Sequence, residues 1–259
     1  MTPRRSSQIR FFHSFTTTPA TSAEPSYVLL HGVGLSHRSF SRLARELARF
    51  GAVAAPDFPG FGLGARHRRP AQTLTVEEQA DSLIPFLRKT RTERPGSPVI
   101  LVGHSMGVQF ALDAALRRPD LVDGLVFVGP VVDPRRPTLG GQGLRLLRDF
   151  VFEPLLTSVM AFRDYLHCGT RWYVAEARQM LAYPTLTRVA GYCGPLLVLR
   201  GEHDPVAPDE WSARVARRVH GATVGDIPGG RHNVVHSHPQ LTADRIAEFA
   251  LTLQAGPAT

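Results

Sequence analysis

The feature of this sequence that most constrains its fold is a regular alternation of short apolar runs with helix-forming stretches. Apolar residues at helical spacing fill the intervals between the runs, and Thr75 followed by Glu78 is typical of a capped helix start. Strands that alternate with helices of about 10–15 residues indicate βαβ units. We therefore predict an α/β fold with a mostly parallel, doubly wound sheet. The predicted strands are 27–30, 52–55, 98–102, 121–128, 195–199 and 222–227.

The alternation stops in a long stretch between residues 131 and 194. Helical patterns and no clear strand occupy this stretch, including one pattern over residues 144–151. We predict that 131–194 is a helical cap, inserted between strands of a core that is formed by 1–130 and 195–259. The length of 259 residues suits a single α/β domain with such an insertion.

The charge balance and composition exclude several kinds of partner. The chain has 30 lysines and arginines against 22 acidic residues, but the basic residues are scattered and form no nucleic-acid motif. We therefore expect no nucleic-acid partner. No apolar stretch approaches the roughly 18 residues of a membrane span. Residues 1–26 lack the apolar segment of a signal peptide, so we expect the cytoplasm. Since neither H-E-x-x-H nor paired C-x-x-C occurs, we expect no metal.

A short motif in the middle of the chain carries the strongest chemical signal. Residues 103–107, Gly-His-Ser-Met-Gly, fit G-x-S-x-G between a predicted strand and a predicted helix. Such a tight turn strains the serine backbone and projects its hydroxyl at the helix N-terminus, where N–H groups favour negative charge. We predict that Ser105 is a nucleophile; the alternative is an ordinary turn in which Ser105 only caps the helix.

A serine nucleophile needs a base, and the base needs an acid to orient it. His232 follows the last predicted strand and is the best placed histidine; we expect His236 and His238 at the surface. Asp204 lies just beyond the fifth predicted strand, while Asp133, after the fourth, is the rival acid. We predict Asp204 and His232 as the partners of the serine, because all three follow the carboxyl ends of parallel strands.

Stabilising the developing oxyanion requires two N–H donors. One should be the backbone N–H of Met106, directly after the serine, and the second that of Val33, in the loop after the first strand. In the same loop we expect His31 to bond loop backbone rather than to carry protons. His104 is expected to pack beside the nucleophile.

These motifs together resemble those of the α/β-hydrolase superfamily, in its small serine-hydrolase branch with a helical cap. The order Ser105, Asp204, His232 is the order of that superfamily. The resemblance covers residues 27–240 and implies a serine-nucleophile hydrolase that needs no cofactor. Since related epoxide hydrolases and dehalogenases carry a carboxylate at the nucleophile position, Ser105 favours acyl transfer. The pieces that carry the resemblance are 31–32, 57–62, 103–107, 201–205 and 230–232.

The apolar residues of the predicted cap indicate the class of substrate. We expect Trp172 and Tyr173, together with His31 and Gly32, to line an apolar substrate pocket. The sequence thus predicts an esterase acting on a small molecule: a carboxylic ester, lactone or thioester with a small to medium hydrophobic acyl group. The alternatives are a C–C bond hydrolase or a cyclase-like enzyme on the same fold, and a non-catalytic ligand-binding protein. The sequence leaves the oligomeric state open.

Overall fold

The computed structural model describes residues 24–62, 74–133 and 152–254 of the chain. The predicted helix over 144–151 lies outside the described residues. Among the described residues, no helix combines the length and the apolar character needed to cross a bilayer.

Six strands form one parallel sheet, in the spatial order β2-β1-β3-β4-β5-β6. This arrangement confirms the predicted α/β class and the predicted strands. The fourth strand starts three residues late, because Pro119–Leu121 forms a 3-10 turn before it. The strands are β1 Ser26–Leu30, β2 Ala52–Ala54, β3 Val99–His104, β4 Gly124–Val128, β5 Leu196–Gly201 and β6 Thr223–Ile227.

Helices connect the strands and flank the sheet. Thr75 caps α2 as predicted: its side chain accepts from the Glu78 N–H, and the Glu78 carboxylate accepts from the Thr75 N–H. The helix after β1 begins at Ser41, because a 3-10 turn, His37–Phe40, precedes it. The helices are α1 Ser41–Leu47, α2 Val76–Glu93, α3 Gly107–Arg117, α4 Leu155–Cys168, α5 Thr170–Ala182, α6 Thr185–Val189, α7 Asp209–Ala216, α8 Val234–Ser237 and α9 Pro239–Gln254.

Each face of the sheet packs against its own set of helices, because strand side chains alternate between the two faces. Val28 and Leu30 of β1 join one core, with apolar residues of α2, α3 and α7. Tyr27 and Leu29 of the same strand join the other core, with residues of α1, α8 and α9. The sheet is thus doubly wound, and its central strands are buried on both faces.

The described part of the predicted insertion, residues 152–194, is helical, with α4, α5 and α6 between β4 and β5. It packs against loops that follow the strands. On α4, Asp164 Oδ2 accepts from the Ser36 hydroxyl at 2.6 Å. On α5, the Trp172 ring fills the space beside Gly60, where a Cβ would come within 2.0 Å of it. These contacts place α4 and α5 over the carboxyl ends of the strands.

Candidate active site

Ser105 stands at a sharp turn between β3 and α3. Its φ is 56°, a strained value for a non-glycine residue. Two flanking glycines allow the turn: a Cβ on Gly103 would lie 2.5 Å from the Gly107 carbonyl oxygen, and one on Gly107 would lie 1.9 Å from that of Leu30. The motif therefore folds as the sequence predicts, with the serine side chain held at the start of a helix.

A histidine and a carboxylate are paired close to this turn. His232 Nδ1 lies 2.9 Å from Asp204 Oδ2, and both side chains are buried. The Asp204 Oδ1 atom accepts from the N–H groups of Val206 at 2.7 Å and Ala207 at 3.0 Å. Burial works to raise the pKa of Asp204, but the His232 imidazole and these two N–H groups hold it below its ordinary value. An ionised Asp204 therefore faces the imidazole and fixes its tautomer.

Ser105 and His232 open onto the same small cavity. The cavity has a volume of about 10 Å³, room for roughly one water molecule. Because Asp204 engages Nδ1, a proton exchange with the serine would use the other ring nitrogen of His232, Nε2, which makes no hydrogen bond to Ser105 in this structure. The structure thus brings the three residues of the predicted set to one edge of the sheet.

Two further histidines lie beneath this site and support it. His104 Nε2 donates to the His232 carbonyl oxygen at 3.0 Å, and burial lowers the pKa of His104 to about 3. His31 Nδ1 donates to the Gly32 carbonyl oxygen, while its Nε2 accepts from the Phe58 N–H. Burial also lowers the pKa of His31. Both rings are therefore neutral at pH 7 and hold backbone in place, in line with the sequence-based expectation.

The two predicted oxyanion donors differ in their relation to the cavity. Val33 lines the cavity, and Met106 follows Ser105 directly. Within the described part of the chain, neither backbone N–H donates a hydrogen bond to a protein acceptor. Gly32 lets this loop approach the serine, because a Cβ at Gly32 would stand 2.9 Å from Ser105 Cβ. Val33 is thus placed at the cavity, whereas Met106 adjoins the serine but is not among the residues that line the cavity.

The walls of the cavity differ from those expected from the sequence. Trp172 packs edge-on against Phe61 beside Gly60, and Tyr173 packs against Tyr165. The four predicted pocket residues, His31, Gly32, Trp172 and Tyr173, are not among the residues that line the cavity. The lining residues are Val33, Leu35, His104, Ser105, Val131, Tyr165, Met180, Val206, His232 and Asn233.

Sequence reasoning missed several side chains that fix the site. Glu153 Oε1 accepts from the backbone N–H of Asn233, next to His232, at 2.8 Å. His236 is buried, contrary to its expected place at the surface, and its Nδ1 lies 3.0 Å from Thr157 Oγ1. Burial and then Arg42 lower the pKa of His236 to about 4, so it is neutral. These contacts tie the histidine loop to the insertion, and nothing in the local sequence signals them.

The described residues also contain no cluster of three or more His, Cys, Asp or Glu side chains that would hold a metal ion.

Comparison with known proteins gives a family model and several relatives. The model for the alpha/beta hydrolase family matches residues 27–245. Lipase LipV of Mycobacterium tuberculosis is 36% identical over 144 residues, which are 55% of this chain and 46% of LipV. A pimeloyl-[acyl-carrier protein] methyl ester esterase of Aromatoleum aromaticum is 37% identical over 105 residues, 40% of this chain and 37% of that protein. The first curated relatives are matched over roughly a quarter to a half of their length.

Solved structures share the whole architecture. The enol-lactonase from Burkholderia xenovorans superimposes with a TM-score of 0.74 at 18% identity, over 93% of this chain and 96% of the lactonase. At that level of identity the likeness concerns the fold alone.

Proposed function

Because this chain belongs to the alpha/beta hydrolase family, we propose that it is a serine hydrolase that cleaves a carboxylic ester through an acyl-enzyme. The observation that carries the proposal is the buried Asp204–His232 pair, which shares a small cavity with the strained Ser105. An ionised carboxylate on one ring nitrogen leaves the other basic enough to activate a hydroxyl.

The proposed reaction has two halves with the same proton carrier. Ser105 Oγ attacks the ester carbonyl carbon while its proton passes to His232 Nε2. The tetrahedral oxyanion is held by the N–H groups of Val33 and Met106. When it collapses, the C–O bond breaks and the imidazolium gives its proton to the leaving alcohol. Water then attacks the acyl-enzyme by the same route and releases the acid and the free serine.

The shape of the cavity bears on the acyl group. Most of its lining is apolar, with Tyr165 and Met180 supplied by α4 and α5. A volume of about 10 Å³ is far below the roughly 300 Å³ of a ligand pocket, so an acyl chain enters only when the wall moves. Met180 is flexible enough to yield, and Gly169, with a φ of 76° between α4 and α5, is a suitable hinge. We propose a small to medium hydrophobic acyl group.

The names of the relatives favour an ester or lactone as the bond that is cleaved. A lipase, a methyl ester esterase and an enol-lactonase are each named for an ester or lactone bond. The proposed substrate is accordingly a small-molecule ester or lactone, handled without a cofactor by a cytoplasmic enzyme.

The test is a panel of p-nitrophenyl esters of increasing chain length, with Ser105→Ala as the variant. We expect kcat/KM to fall by at least about 10³-fold, because only binding and oxyanion stabilisation remain. Ser212→Ala is a matched control, since Ser212 is also buried but lies in α7. A fluorophosphonate probe should label the wild type and the control but not Ser105→Ala. Full activity in Ser105→Ala would disprove the assignment, and an unreactive wild type would favour a ligand-binding protein.

A further inference from the structure

Helix α4 buries several polar side chains and exposes most of its large apolar ones. Thr157 and Asp164 are buried, and they bond His236 and Ser36 in the core. A helix on the surface of a soluble domain normally buries its apolar stripe and exposes its polar face. The opposite arrangement here means that the outer face of α4 is unfavourable in water.

The exposed apolar residues run along the helix and include Phe152 just before it. Spacings of three and four residues place Leu155, Val159, Phe162 and Leu166 on a single face. Soluble proteins rarely expose apolar patches beyond a few hundred Å², and larger patches mark interaction sites. The outer stripe consists of Phe152, Leu155, Leu156, Val159, Phe162 and Leu166, which are 61%, 78%, 64%, 56%, 54% and 65% exposed.

Between residues 152 and 171 the exposed charged side chains are all arginines. Between residues 152 and 171 the two acids, Glu153 and Asp164, are buried. The exposed charged side chains of this segment include Arg163 and Arg171. The Arg231 guanidinium lies 4.8 Å from the centre of the Phe152 ring, at one end of the stripe. The surface that complements this region is therefore apolar and anionic.

We propose that the outer stripe of α4 docks on the surface of an anionic lipid bilayer. A helix with an apolar face and a cationic border lies in the plane of the interface, with its apolar face among the acyl chains and its arginines at the headgroups. The net charge of +8 on the whole chain adds to the attraction. Docking needs no catalysis, so it goes beyond the proposed function.

Docking also brings the lipid close to the cavity. Tyr165 belongs to α4 and lines the cavity, and Glu153, next to Phe152, holds the loop of Asn233 and His232. If the proposed function holds, the enzyme takes its acyl substrate from the membrane to which it is bound.

The test is co-sedimentation with lipid vesicles, carried out in the Ser105→Ala protein so that no ester is cleaved. We expect binding to vesicles that contain phosphatidylglycerol. The double variant Leu155→Gln/Phe162→Gln should bind at least about tenfold more weakly, because two side chains no longer enter the acyl layer. Leu251→Gln is the matched control: Leu251 is 64% exposed on α9, and its substitution should leave binding unchanged. Equal thermal midpoints verify folding.

The electrostatic contribution has its own measurement. Arg163→Gln should weaken binding to phosphatidylglycerol vesicles by roughly fivefold and leave binding to pure phosphatidylcholine vesicles unchanged. The difference should shrink as salt is raised, since exposed charges are screened. An equal effect on both kinds of vesicle would contradict the role assigned to the arginine.

Three results would overturn the proposal. The first is binding of the double variant that equals that of Leu251→Gln. The second is a wild-type protein that sediments as a dimer while the double variant sediments as a monomer. That result would mean that a second copy of the chain covers the outer stripe. The third concerns a monomeric double variant, Phe162→Cys/Cys193→Ser, in which the exposed Cys193 has been removed. Failure of a maleimide to label its Cys at position 162 would mean that the chain itself covers the stripe. Failure of the ester assay alone would leave vesicle binding unaffected and would point to the proposed function instead.

Discussion

A buried glutamate in α5 gives the protein a predictable dependence of stability on pH. Glu176 is fully buried, and no cationic side chain among the described residues pairs with it. Burial raises the pKa of Glu176 from its ordinary value of 4.5 to about 8, although the nearby Gln79 amide lowers it. The folded protein therefore keeps this carboxyl group protonated at pH 7, whereas the unfolded chain does not.

The sign and the size of the effect follow from proton linkage. Between about pH 4.5 and pH 8 the folded state binds one more proton than the unfolded state, so stability falls as the pH rises. Each pH unit in this window shifts the folding equilibrium tenfold, and by pH 8 the accumulated loss is at most on the order of 4 kcal/mol. Glu176→Gln keeps the size of the side chain and cannot ionise, so it should remove the loss.

Thermal unfolding at pH 5 and at pH 8.5 tests this reasoning. We expect Glu176→Gln to raise Tm at pH 8.5 by up to roughly 8 °C, at about 2 °C per kcal/mol, and to change it little at pH 5. Glu93→Gln is the control, because Glu93 is exposed and its ion pair with Lys89 contributes little at any pH. A Tm difference between Glu176→Gln and wild type that is the same at both pH values would refute the assignment of a raised pKa.

Three other substitutions separate the roles of single residues. Asp204→Asn should lower kcat for p-nitrophenyl esters by about 10⁴-fold, because the imidazole loses its tautomer, whereas Asp209→Asn on the exposed start of α7 should not. Met180→Ala should raise kcat/KM for decanoate esters relative to acetate esters, because it removes a side chain from the cavity wall. Met180→Leu is the control, and an equal ratio in both variants would contradict the place of Met180 in the wall. Gly107→Ala should lower the free energy of unfolding by several kcal/mol in urea titrations, and no loss would contradict the close approach to Leu30.

The sequence predicted the sheet and the core of the candidate site because both depend on local signals. An apolar run that ends in a glycine turn marks the place of Ser105, and the same logic places Asp204 and His232 after later strands. Parallel strands bring their carboxyl ends to one edge of the sheet. Ser105 and His232, which are 127 positions apart in the chain, therefore lie at the same edge.

The orientation of the insertion could not be read from the sequence. Periodicity places apolar residues on one side of a helix, but packing decides which side faces the core. For α4 the apolar side faces outward, and for α5 Met180 faces the cavity while Trp172 packs against Phe61. The burial of His236 likewise depends on Thr157, a residue 79 positions away, so composition and spacing gave no sign of it.

Part of the cavity wall comes from a different part of the chain than the candidate catalytic residues. Tyr165 and Met180 belong to helices inserted after β4, whereas Ser105, Asp204 and His232 sit on turns of the sheet. Substitutions in the inserted helices can therefore alter which acyl groups fit without changing the proposed catalytic residues. For the same reason, a library that randomises residues 155–182 and spares the glycines of the turns is the natural starting point for retargeting the proposed hydrolase.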